Sequence, residues 1–298
     1  MKKLLFIFNP YSGKGQIKNK LLGILDLFVK AGYRVEVHPT QAPQDAREVV
    51  AKRAGSYDLV VCSGGDGTLD EVVSGMMRRQ EQERVAIGYI PAGSTNDFAN
   101  SLKLPKGMMK TARTAVEGSV FPCDVGNMNG KYFVYIAAFG IFTEVSYGTS
   151  QQWKNLLGHA AYLLEGAKSL GSVKSCSMHV ECNGESFEGE FIFGMITNST
   201  SVGGFKGMTG KDVLLDDGLF EVTLIQKPRN PIELAEILRC LTTGVDDTEL
   251  IYSTKTDRIR LTSPELVPWT MDGEYGGDHT EVEIHNERQA VNIMVDEV

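Results

Sequence analysis

A glycine-rich turn between an apolar run and a helical pattern contains the residues best suited to chemistry. Gly64-Gly-Asp-Gly-Thr68 follows directly on the apolar run of residues 59–63. Glycines let the backbone turn sharply and come close to a ligand, because they have no Cβ. The helix that follows points free N–H groups at the turn, which favours an anion there. Since Asp66 would repel bare phosphate, the pattern indicates a site for a nucleotide together with a divalent cation.

An ordinary glycine turn between strand and helix is the alternative interpretation of two or three glycines alone. The complete five-residue run makes a ligand-binding turn the better interpretation. Thr68 and Glu71 have the spacing of a capping box, so the following helix is predicted over residues 68–79. Apolar residues recur along it at helical spacing: Leu69, Val72, Val73, Met76 and Met77.

Two acidic turns in the second half of the chain are the next candidates for chemistry. They are Asp216-Asp217-Gly218 and Asp272-Gly273-Glu274. In isolation, Asp-Gly pairs are turn residues. Phosphoryl transfer, however, needs carboxylates that hold Mg²⁺, donors for phosphate, and a group that accepts the proton of the acceptor hydroxyl. Together with the glycine turn, these residue types favour a phosphotransferase.

Two other nucleotide-binding patterns do not match. The dinucleotide pattern G-x-G-x-x-G fails after Gly13 and Gly15, because Lys18 stands at the third glycine position. The P-loop pattern fails because Gly15 follows Lys14 where Ser or Thr is required. Hydride transfer and P-loop chemistry are therefore not supported.

Composition limits the class of protein. A chain of 298 residues with 42% apolar residues is long enough for two domains with real cores. Its apolar runs are shorter than the roughly 18 residues needed to span a bilayer, and the N-terminal run meets Asn9 too soon for a signal peptide. Five scattered cysteines indicate reduced, cytosolic thiols. A net charge of −8 argues against nucleic acid as a partner.

The first 125 residues alternate between strand and helix patterns. Strands are predicted over residues 3–8, 34–39, 59–63 and 86–90, and helices over 18–29, 42–54, 68–79 and 108–116. This alternation predicts a parallel sheet with helices on both faces, in which ligands bind beyond the carboxyl ends of the strands. The loops of residues 9–15, 64–68 and 91–97 all fall at those ends.

Strand patterns dominate after Asp124. Strands are predicted over residues 133–139, 176–182, 187–196, 219–225, 258–262, 280–285 and 290–295, and helices over 150–170 and 231–242. Asn183-Gly184 between two of the strands is a hairpin signal. We therefore expect two domains, residues 1–125 and residues 126–298, the second mostly antiparallel.

These motifs resemble the soluble diacylglycerol kinase catalytic-domain family of lipid kinases. The resemblance runs along nearly the whole chain, through residues 9–13, 64–68, 91–98, 124–126, 215–220 and 272–277. The glycine–aspartate turn alone is shared with NAD kinases and phosphofructokinases. The runs at 215–220 and 272–277 narrow the match to the lipid kinases.

The resemblance implies a fold and an activity. The fold is an N-terminal doubly wound parallel-sheet domain followed by a mostly antiparallel β-sandwich domain, with the active site in the cleft between them. The first domain would bind ATP and the second the lipid. The activity is ATP- and Mg²⁺-dependent phosphorylation of a lipid hydroxyl, diacylglycerol to phosphatidic acid, by a cytoplasmic enzyme that contacts the inner face of the membrane. A homodimer is left open.

The resemblance also implies roles for individual residues. Asp66 would help to hold Mg²⁺-ATP, supported by Asp97 and Asp124, and Asp272 would accept the proton of the lipid hydroxyl with Glu274 beside it. A second, structural Mg²⁺ would be held by the carboxylate of Asp217 and the backbone carbonyls of Leu214 and Leu219. The ATP site would be lined by Asn9, Pro10, Tyr11, Ser12, Gly13, Thr40, Gly64, Gly65, Asp66, Gly67, Thr68, Leu69, Asp70, Ser94 and Asp97.

Two features of the sequence depart from the family pattern, and a third is a helix whose role has two interpretations. Residues 207–211 lack the Pro-x-Ala usual before the metal turn, and the chain stops soon after Val295, where relatives often carry a helix that returns to the first domain. The predicted helix of residues 150–170 has an apolar stripe whose default interpretation is core packing. Its functional interpretation is an apolar lip for an acyl chain, formed by Trp153, Leu156, Leu157, Ala160, Ala161 and Leu164.

Two other functions use the same residues. An NAD- or sugar-type kinase would use the glycine–aspartate turn on a soluble acceptor. A non-catalytic lipid or nucleotide sensor would be favoured by loss of Asp66 or Asp272, and both are present.

Overall fold

The computed structural model describes residues 1–93, 96–140, 174–200, 212–243 and 248–296. The chain forms two compact units, Met1–Val125 with Glu287–Val298, and Gly126–Asn286. The end of the chain, which we expected in the second domain, groups with the first unit. The last strand of the chain runs parallel to the strand Ala86–Pro91, with Ile293 opposite Ile87.

The first unit is built on a parallel sheet, as predicted. β1 lies between β2 and β3, and β4 follows on the outer side of β3. Both faces of the sheet are covered, which is why β3 is buried along its whole length. The strands are β1 (Lys2–Phe8), β2 (Tyr33–Pro39), β3 (Leu59–Gly64) and β4 (Ala86–Pro91).

Helices α1 and α5 pack on one face of this sheet and share a core with Phe6 and Val61. Residues of the opposite face, such as Ile7 and Cys62, are also fully buried, and burial raises the pKa of the Cys62 thiol. A 3-10 segment, Ser12–Asn19, precedes α1, so that helix begins later than predicted. The helices are α1 (Leu21–Lys30), α2 (Asp45–Arg53), α3 (Asp66–Met77), α4 (Asp97–Ser101) and α5 (Met108–Glu117).

The second unit is mostly antiparallel, as predicted. Its strands pair in the order β11, β10, β9, β7, β12, β13, and β8 pairs with β9 and β12. β5 and β13 each run from one unit into the other along the chain. The strands are β5 (Ser119–Met128), β6 (Lys131–Phe133), β7 (Ile136–Gly140), β8 (Cys176–Cys182), β9 (Glu185–Thr197), β10 (Phe220–Gln226), β11 (Ile251–Thr256), β12 (Arg258–Met271) and β13 (Glu274–Val295).

The Asn183-Gly184 hairpin is confirmed. Cys182 pairs with Glu185 across a two-residue loop, and both loop residues have positive φ, 54° and 79°, as a type I′ turn requires. The predicted helix near residue 231 is α6 (Pro231–Thr243). The predicted helix of residues 150–170 lies outside the described residues.

Other strand predictions differ from the structure. The patterns at 280–285 and 290–295 belong to one long strand, β13. β5 was not predicted, because Pro122, Asp124 and Gly126 give it the composition of a turn. β11 was not predicted either, because it is polar and only its two ends are buried. Within the described part of the chain, no helix is long and apolar enough to cross a membrane.

Replacing Gly13 should destabilise the first unit through a backbone contact. Gly13 has φ +55°, and a Cβ there would overlap the carbonyl oxygen of Ala92. We expect Gly13→Ala to lower the free energy of unfolding by about 2–4 kcal/mol, measured by urea denaturation.

Gly32→Ala is the matched control, since Gly32 also has positive φ, +87°, but a Cβ there meets nothing within 4 Å. Its cost should be about 1–2 kcal/mol, from the backbone conformation alone. Equal losses for the two variants would mean that the contact with Ala92 contributes nothing.

Candidate active site

The predicted nucleotide turn lies where β3 passes into α3. The helix begins at Asp66, and the backbone N–H groups of Thr68 and Leu69 donate to the carbonyl of Gly65 at 3.0 and 3.3 Å. Gly65 is the N-cap residue and supplies no side-chain cap. The positive end of the α3 dipole is therefore presented at the turn without a side-chain cap, which fits an anionic ligand. Asp66 and Asp70 are half-buried in the first turns of the helix.

The capping-box prediction is wrong. Because α3 begins at Asp66, Thr68 lies inside the helix and is not its N-cap. The carboxylate of Glu71 instead accepts hydrogen bonds from the backbone N–H groups of Gln44, at 2.8 Å, and Ala46, at 3.1 Å. Glu71 therefore satisfies the start of α2, and it ties that helix to α3. The predicted apolar stripe is confirmed, since all its members are buried: Leu69, Val72, Val73, Met76 and Met77.

The loops that follow the parallel strands begin side by side. Asn9 N donates to Ser63 O at 2.9 Å, Ala92 N to Gly64 O at 2.7 Å, and Thr40 N to Phe8 O at 2.9 Å. These bonds extend the strand pairing past the ends of β1, β2 and β4. The structure thus brings the starts of the loops at 9–15, 64–68 and 91–97 to one edge of the sheet, with Thr40 alongside.

Close contacts within and between the loops require glycines at this edge. A Cβ on Gly93 would lie 2.8 Å from the Cα of Gly65, and a Cβ on Gly64 would overlap the side chain of Thr68. The backbones of the loops are therefore in direct contact. Part of the glycine pattern that indicated ligand binding also has this structural role.

Side-chain hydrogen bonds shape two of these loops. Asn9 Oδ1 accepts a hydrogen bond from Tyr11 N at 2.9 Å, and the Tyr11 side chain is largely exposed, with Pro10 and Ser12 half-buried beside it. Asn96, with φ +52°, accepts from Gly93 N and donates to Gly93 O, both at 2.9 Å. Sequence reasoning did not single out Asn96, which closes the loop between these residues.

Asp97 and Ser94 were both predicted to lie at the nucleotide. Asp97 is the first residue of α4 and is only 3% exposed. Ser94 lies outside the described residues. A buried carboxylate at a helix N-terminus interacts favourably with the helix dipole. The supporting role of Asp97 at the nucleotide stays a prediction.

The loop that carries Thr40 is held by an acidic residue of α2. Asp45 Oδ2 lies 3.0 Å from His38 Nε2 and accepts a hydrogen bond from Gln41 N at 2.8 Å. Burial raises the pKa of Asp45, but the Gln41 N–H and His38 outweigh it, so that this pKa is lowered overall. The carboxylate is therefore ionised near neutral pH, and it binds the backbone N–H of Gln41 and the side chain of His38 on either side of Thr40.

Asp124 is fully buried in β5. Its Oδ1 accepts a hydrogen bond from Gln289 N at 2.7 Å, and Gln289 has φ +50°. Asp124 therefore holds the chain where it enters the terminal segment of the first unit. Its partner lies 165 residues away along the chain, so no local pattern could have indicated this bond.

Asp272 lies in the two-residue turn between β12 and β13, where Met271 pairs with Glu274. Its side chain is 5% exposed, and its carboxylate accepts hydrogen bonds from the backbone N–H groups of Val134, at 2.5 Å, and of Tyr135 and Ile136, both at 3.0 Å. These bonds replace strand pairing, which is why the predicted strand at 133–139 is divided into β6 and β7. Glu274 is exposed.

The side chain of a lysine in β11, Lys255, reaches the turn that was predicted to hold a structural metal. Asp217 Oδ1 accepts a hydrogen bond from Leu219 N at 3.0 Å. Lys255 Nζ lies 4.0 Å from Asp217 Oδ2 and 3.1 Å from Glu221 Oε1. Burial raises the pKa of Glu221 to about 7, and the ammonium of Lys255 acts in the opposite direction. Sequence reasoning missed both Glu221 and Lys255.

The predicted metal ligands are not one group. Leu214, whose side chain is exposed, Asp217 and Leu219 belong to the second unit, and Asp124 belongs to the first. Among the described residues, no three or more His, Cys, Asp or Glu side chains are grouped to hold a metal ion. A metal at either place would therefore depend on backbone carbonyls, phosphate or water for most of its ligands.

Comparison with known proteins identifies the family. The diacylglycerol kinase catalytic domain matches residues 3–128, and the YegS C-terminal NAD kinase beta sandwich-like domain matches residues 138–295. A diacylglycerol kinase of Bacillus subtilis (strain 168) is 36% identical over 284 residues, 93% of this chain and 91% of that protein. One of Staphylococcus carnosus (strain TM300) is 36% identical over 280 residues, 93% of this chain and 90% of that protein.

The same fold is found in a solved structure. The crystal structure of a diacylglycerol kinase from Bacillus anthracis str. Sterne has a TM-score of 0.77 at 20% identity, and covers 99% of this chain and 97% of that one. The chain belongs to the diacylglycerol kinase family, which confirms the resemblance seen in its motifs. It is thus an enzyme, a lipid kinase that transfers a phosphoryl group to an alcohol.

Asp272→Asn keeps the shape of the side chain but should lower the stability of the folded protein. The amide has one acceptor oxygen, so its NH₂ group would face a backbone N–H of residues 134–136. We expect Asp272→Asn to lose about 1–3 kcal/mol of unfolding free energy in urea.

Glu274→Gln is the control, because Glu274 is exposed and two residues away. It should stay within about 0.5 kcal/mol of the parent. A parent-like stability for Asp272→Asn would mean that these three hydrogen bonds do not hold the chain between β6 and β7.

Proposed function

We propose that this lipid kinase uses ATP and Mg²⁺ and phosphorylates diacylglycerol to phosphatidic acid. One observation carries the proposal: the glycine turn and the neighbouring loops lie at the carboxyl edge of a parallel sheet, in a chain that matches proteins named diacylglycerol kinase over 93% of its length. The sheet edge is suited to binding the phosphates of ATP. The name of the relatives, diacylglycerol kinase, indicates diacylglycerol as the acceptor.

The residues at the sheet edge suit a nucleotide phosphate chain. The first turn of α3 has no side-chain cap, and Gly65 and Gly93 bring two backbones together there. In this proposal the loops of residues 9–13 and 64–70, with Thr40 and Ser94, bind ATP. Asp66 holds the Mg²⁺ of Mg²⁺-ATP, while Asp97 and Asp124 support that arrangement. Mg²⁺-ATP supplies the γ-phosphoryl group and neutralises its charge.

Asp272 is proposed to receive the proton of the lipid hydroxyl. Three backbone N–H groups fix its carboxylate in one orientation, which suits a group that must position a hydroxyl. In a loose transition state little proton transfer is needed early, so orientation contributes more than basicity. Glu274, exposed beside it, is proposed to assist at the polar end of the lipid.

The lipid substrate places the enzyme at a membrane surface. We propose a cytoplasmic enzyme that makes peripheral contact with the inner face of the membrane. The net charge of −8 means that attraction to anionic lipid must be local. The apolar lip expected from residues 150–170 stays a prediction, since that segment lies outside the described residues.

A panel of acceptors tests the proposed function. The purified protein is incubated with γ-labelled ATP and Mg²⁺ and with detergent-dispersed diacylglycerol, monoacylglycerol, phosphatidylglycerol, a polyprenol or a sphingoid base. NAD and sugars serve as soluble acceptors. We expect labelled phosphatidic acid as the main product on thin-layer chromatography, and no product without Mg²⁺. Labelled NADP or sugar phosphate would identify a kinase for soluble acceptors. ATP binding with no labelled product would identify a sensor.

Two carboxylate variants test the proposed roles. Asp66→Asn should lower the rate by about 10³-fold, since it removes a ligand of the metal, while far-UV dichroism and melting temperature stay parent-like. Asp272→Asn should lower the single-turnover rate by about 10²–10⁴-fold at a temperature where it is folded, with ATP affinity unchanged by calorimetry.

Asp26→Asn is the control for both, because Asp26 is an exposed carboxylate whose ion-pair partner is Lys30, at 2.7 Å. It should keep parent-like activity. Parent-like activity of Asp66→Asn would contradict the nucleotide site. A loss of ATP affinity in Asp272→Asn would move that residue from the acceptor to the nucleotide.

A further inference from the structure

We infer that the ammonium of Lys255 is the built-in cation of the acidic turn before β10, and that it takes the place of a structural divalent metal there. The inference concerns the stability of the second unit. It goes beyond the proposed function and does not depend on it.

Lys255 Nζ lies among oxygen atoms of the kind that bind a hard cation. It donates a hydrogen bond to the backbone carbonyl of Asp212 at 2.8 Å, lies 3.1 Å from Glu221 Oε1, and lies 4.0 Å from Asp217 Oδ2. Carboxylate and carbonyl oxygens are the ligands that Mg²⁺ and Ca²⁺ prefer. The ammonium thus makes a hydrogen bond to the carbonyl of Asp212 and ion pairs with two carboxylates.

The strand register places Lys255 in this position. β10 and β11 are antiparallel, and Lys255 lies directly opposite Glu221, so their side chains leave the sheet on the same face. The backbone of β11 is held at the same point, because Asn183 Nδ2 donates to Lys255 O at 3.0 Å. The side chain of Lys255 is 34% exposed, whereas that of Glu221 is 6% exposed. The ammonium is thus positioned by the sheet.

The buried carboxylate of Glu221 explains why a cation is needed here. A buried carboxylate without a partner is costly, and breaking such a pair strongly destabilises a fold. Glu221 is buried, and among the described residues Lys255 is the cationic group that contacts it. Lys255 therefore supplies within the chain the positive charge that a bound metal would otherwise supply.

The arrangement leaves little for a divalent ion. Asp217 Oδ1 is engaged by Leu219 N at 3.0 Å, and Oδ2 faces the ammonium. Mg²⁺ requires nearly octahedral oxygen ligands at about 2.0–2.1 Å, so an ion bound to Asp217 would have the ammonium as a close neighbour of like charge. The described residues around Asp217 therefore do not fit a structural Mg²⁺, contrary to what the family resemblance implied for Asp217, Leu214 and Leu219.

Thermal unfolding of the nucleotide-free protein tests the inference. Wild type and Asp217→Asn are melted in MgCl₂ and in EDTA at matched ionic strength. Mg²⁺ bound elsewhere stabilises both proteins equally and cancels in the comparison. We expect the two proteins to show the same Mg²⁺-dependent shift, within about 1 °C. A shift that is present in wild type and absent in Asp217→Asn would overturn the inference.

Removing the ammonium should make the melting temperature of the protein depend on Mg²⁺. Lys255→Met should melt about 5 °C lower than wild type in EDTA. Mg²⁺ should raise the melting temperature of Lys255→Met by at least half of the difference from wild type. The double variant Lys255→Met with Asp217→Asn should not show this rise. Lys255→Met that is as stable as wild type and does not respond to Mg²⁺ would also overturn the inference.

Two further variants serve as controls. Lys255→Arg keeps a positive charge and should stay unresponsive to Mg²⁺. Lys227→Met removes a half-buried lysine that belongs to the same unit but lies outside the turn. Its melting temperature should not fall by a similar amount, and it should not respond to Mg²⁺. If Lys255→Met does not fold, the comparison of wild type with Asp217→Asn still decides the question.

Discussion

Close backbone contact at the carboxyl edge of the parallel sheet is the constraint on which the proposed nucleotide site depends. Gly64 O accepts the N–H of Ala92 at 2.7 Å, and neither Gly13 nor Gly93 has room for a Cβ at this edge. Backbone contacts therefore hold the starts of these loops together, beside the side-chain bonds of Asn9 and Asn96. Groups that are already positioned before a ligand binds reduce the ordering cost of binding. It also explains why glycine, and not only acidic residues, dominates the motif.

Carboxylates perform a comparable task at several places. Glu71 satisfies two N–H groups at the start of α2, Asp124 holds Gln289, and Asp272 satisfies three N–H groups between β6 and β7. In each case a carboxylate provides acceptors for backbone donors that helix or strand pairing leaves unsatisfied. Glu221 differs, because its partner is the cation of Lys255. An acidic residue in a motif of this family can thus be required for folding as well as for chemistry.

Local sequence predicted what depends on local pattern. Strand–helix alternation gave the parallel sheet, and Asn183-Gly184 gave a hairpin whose two φ values are positive. The pattern could not reveal bonds between residues far apart in the chain. Glu71 reaches Gln44 across 27 residues, and Gln289 reaches Asp124 across 165. The predicted start of α3 was wrong for the same reason. A Ser/Thr-x-x-Glu spacing has the form of a capping box even when the glutamate binds another helix.

Asp272 shows why the structural and functional interpretations of a motif do not exclude one another. As an Asp-Gly pair it was typical of a turn, and the structure places it in a two-residue hairpin turn with φ of 48° and 84°. That backbone conformation is what points the carboxylate back at residues 134–136, where three N–H groups orient it. A group meant to position a substrate hydroxyl must itself be held in one orientation. The turn supplies that orientation, so a residue chosen for turn formation is also the kind of residue that a positioned proton acceptor requires.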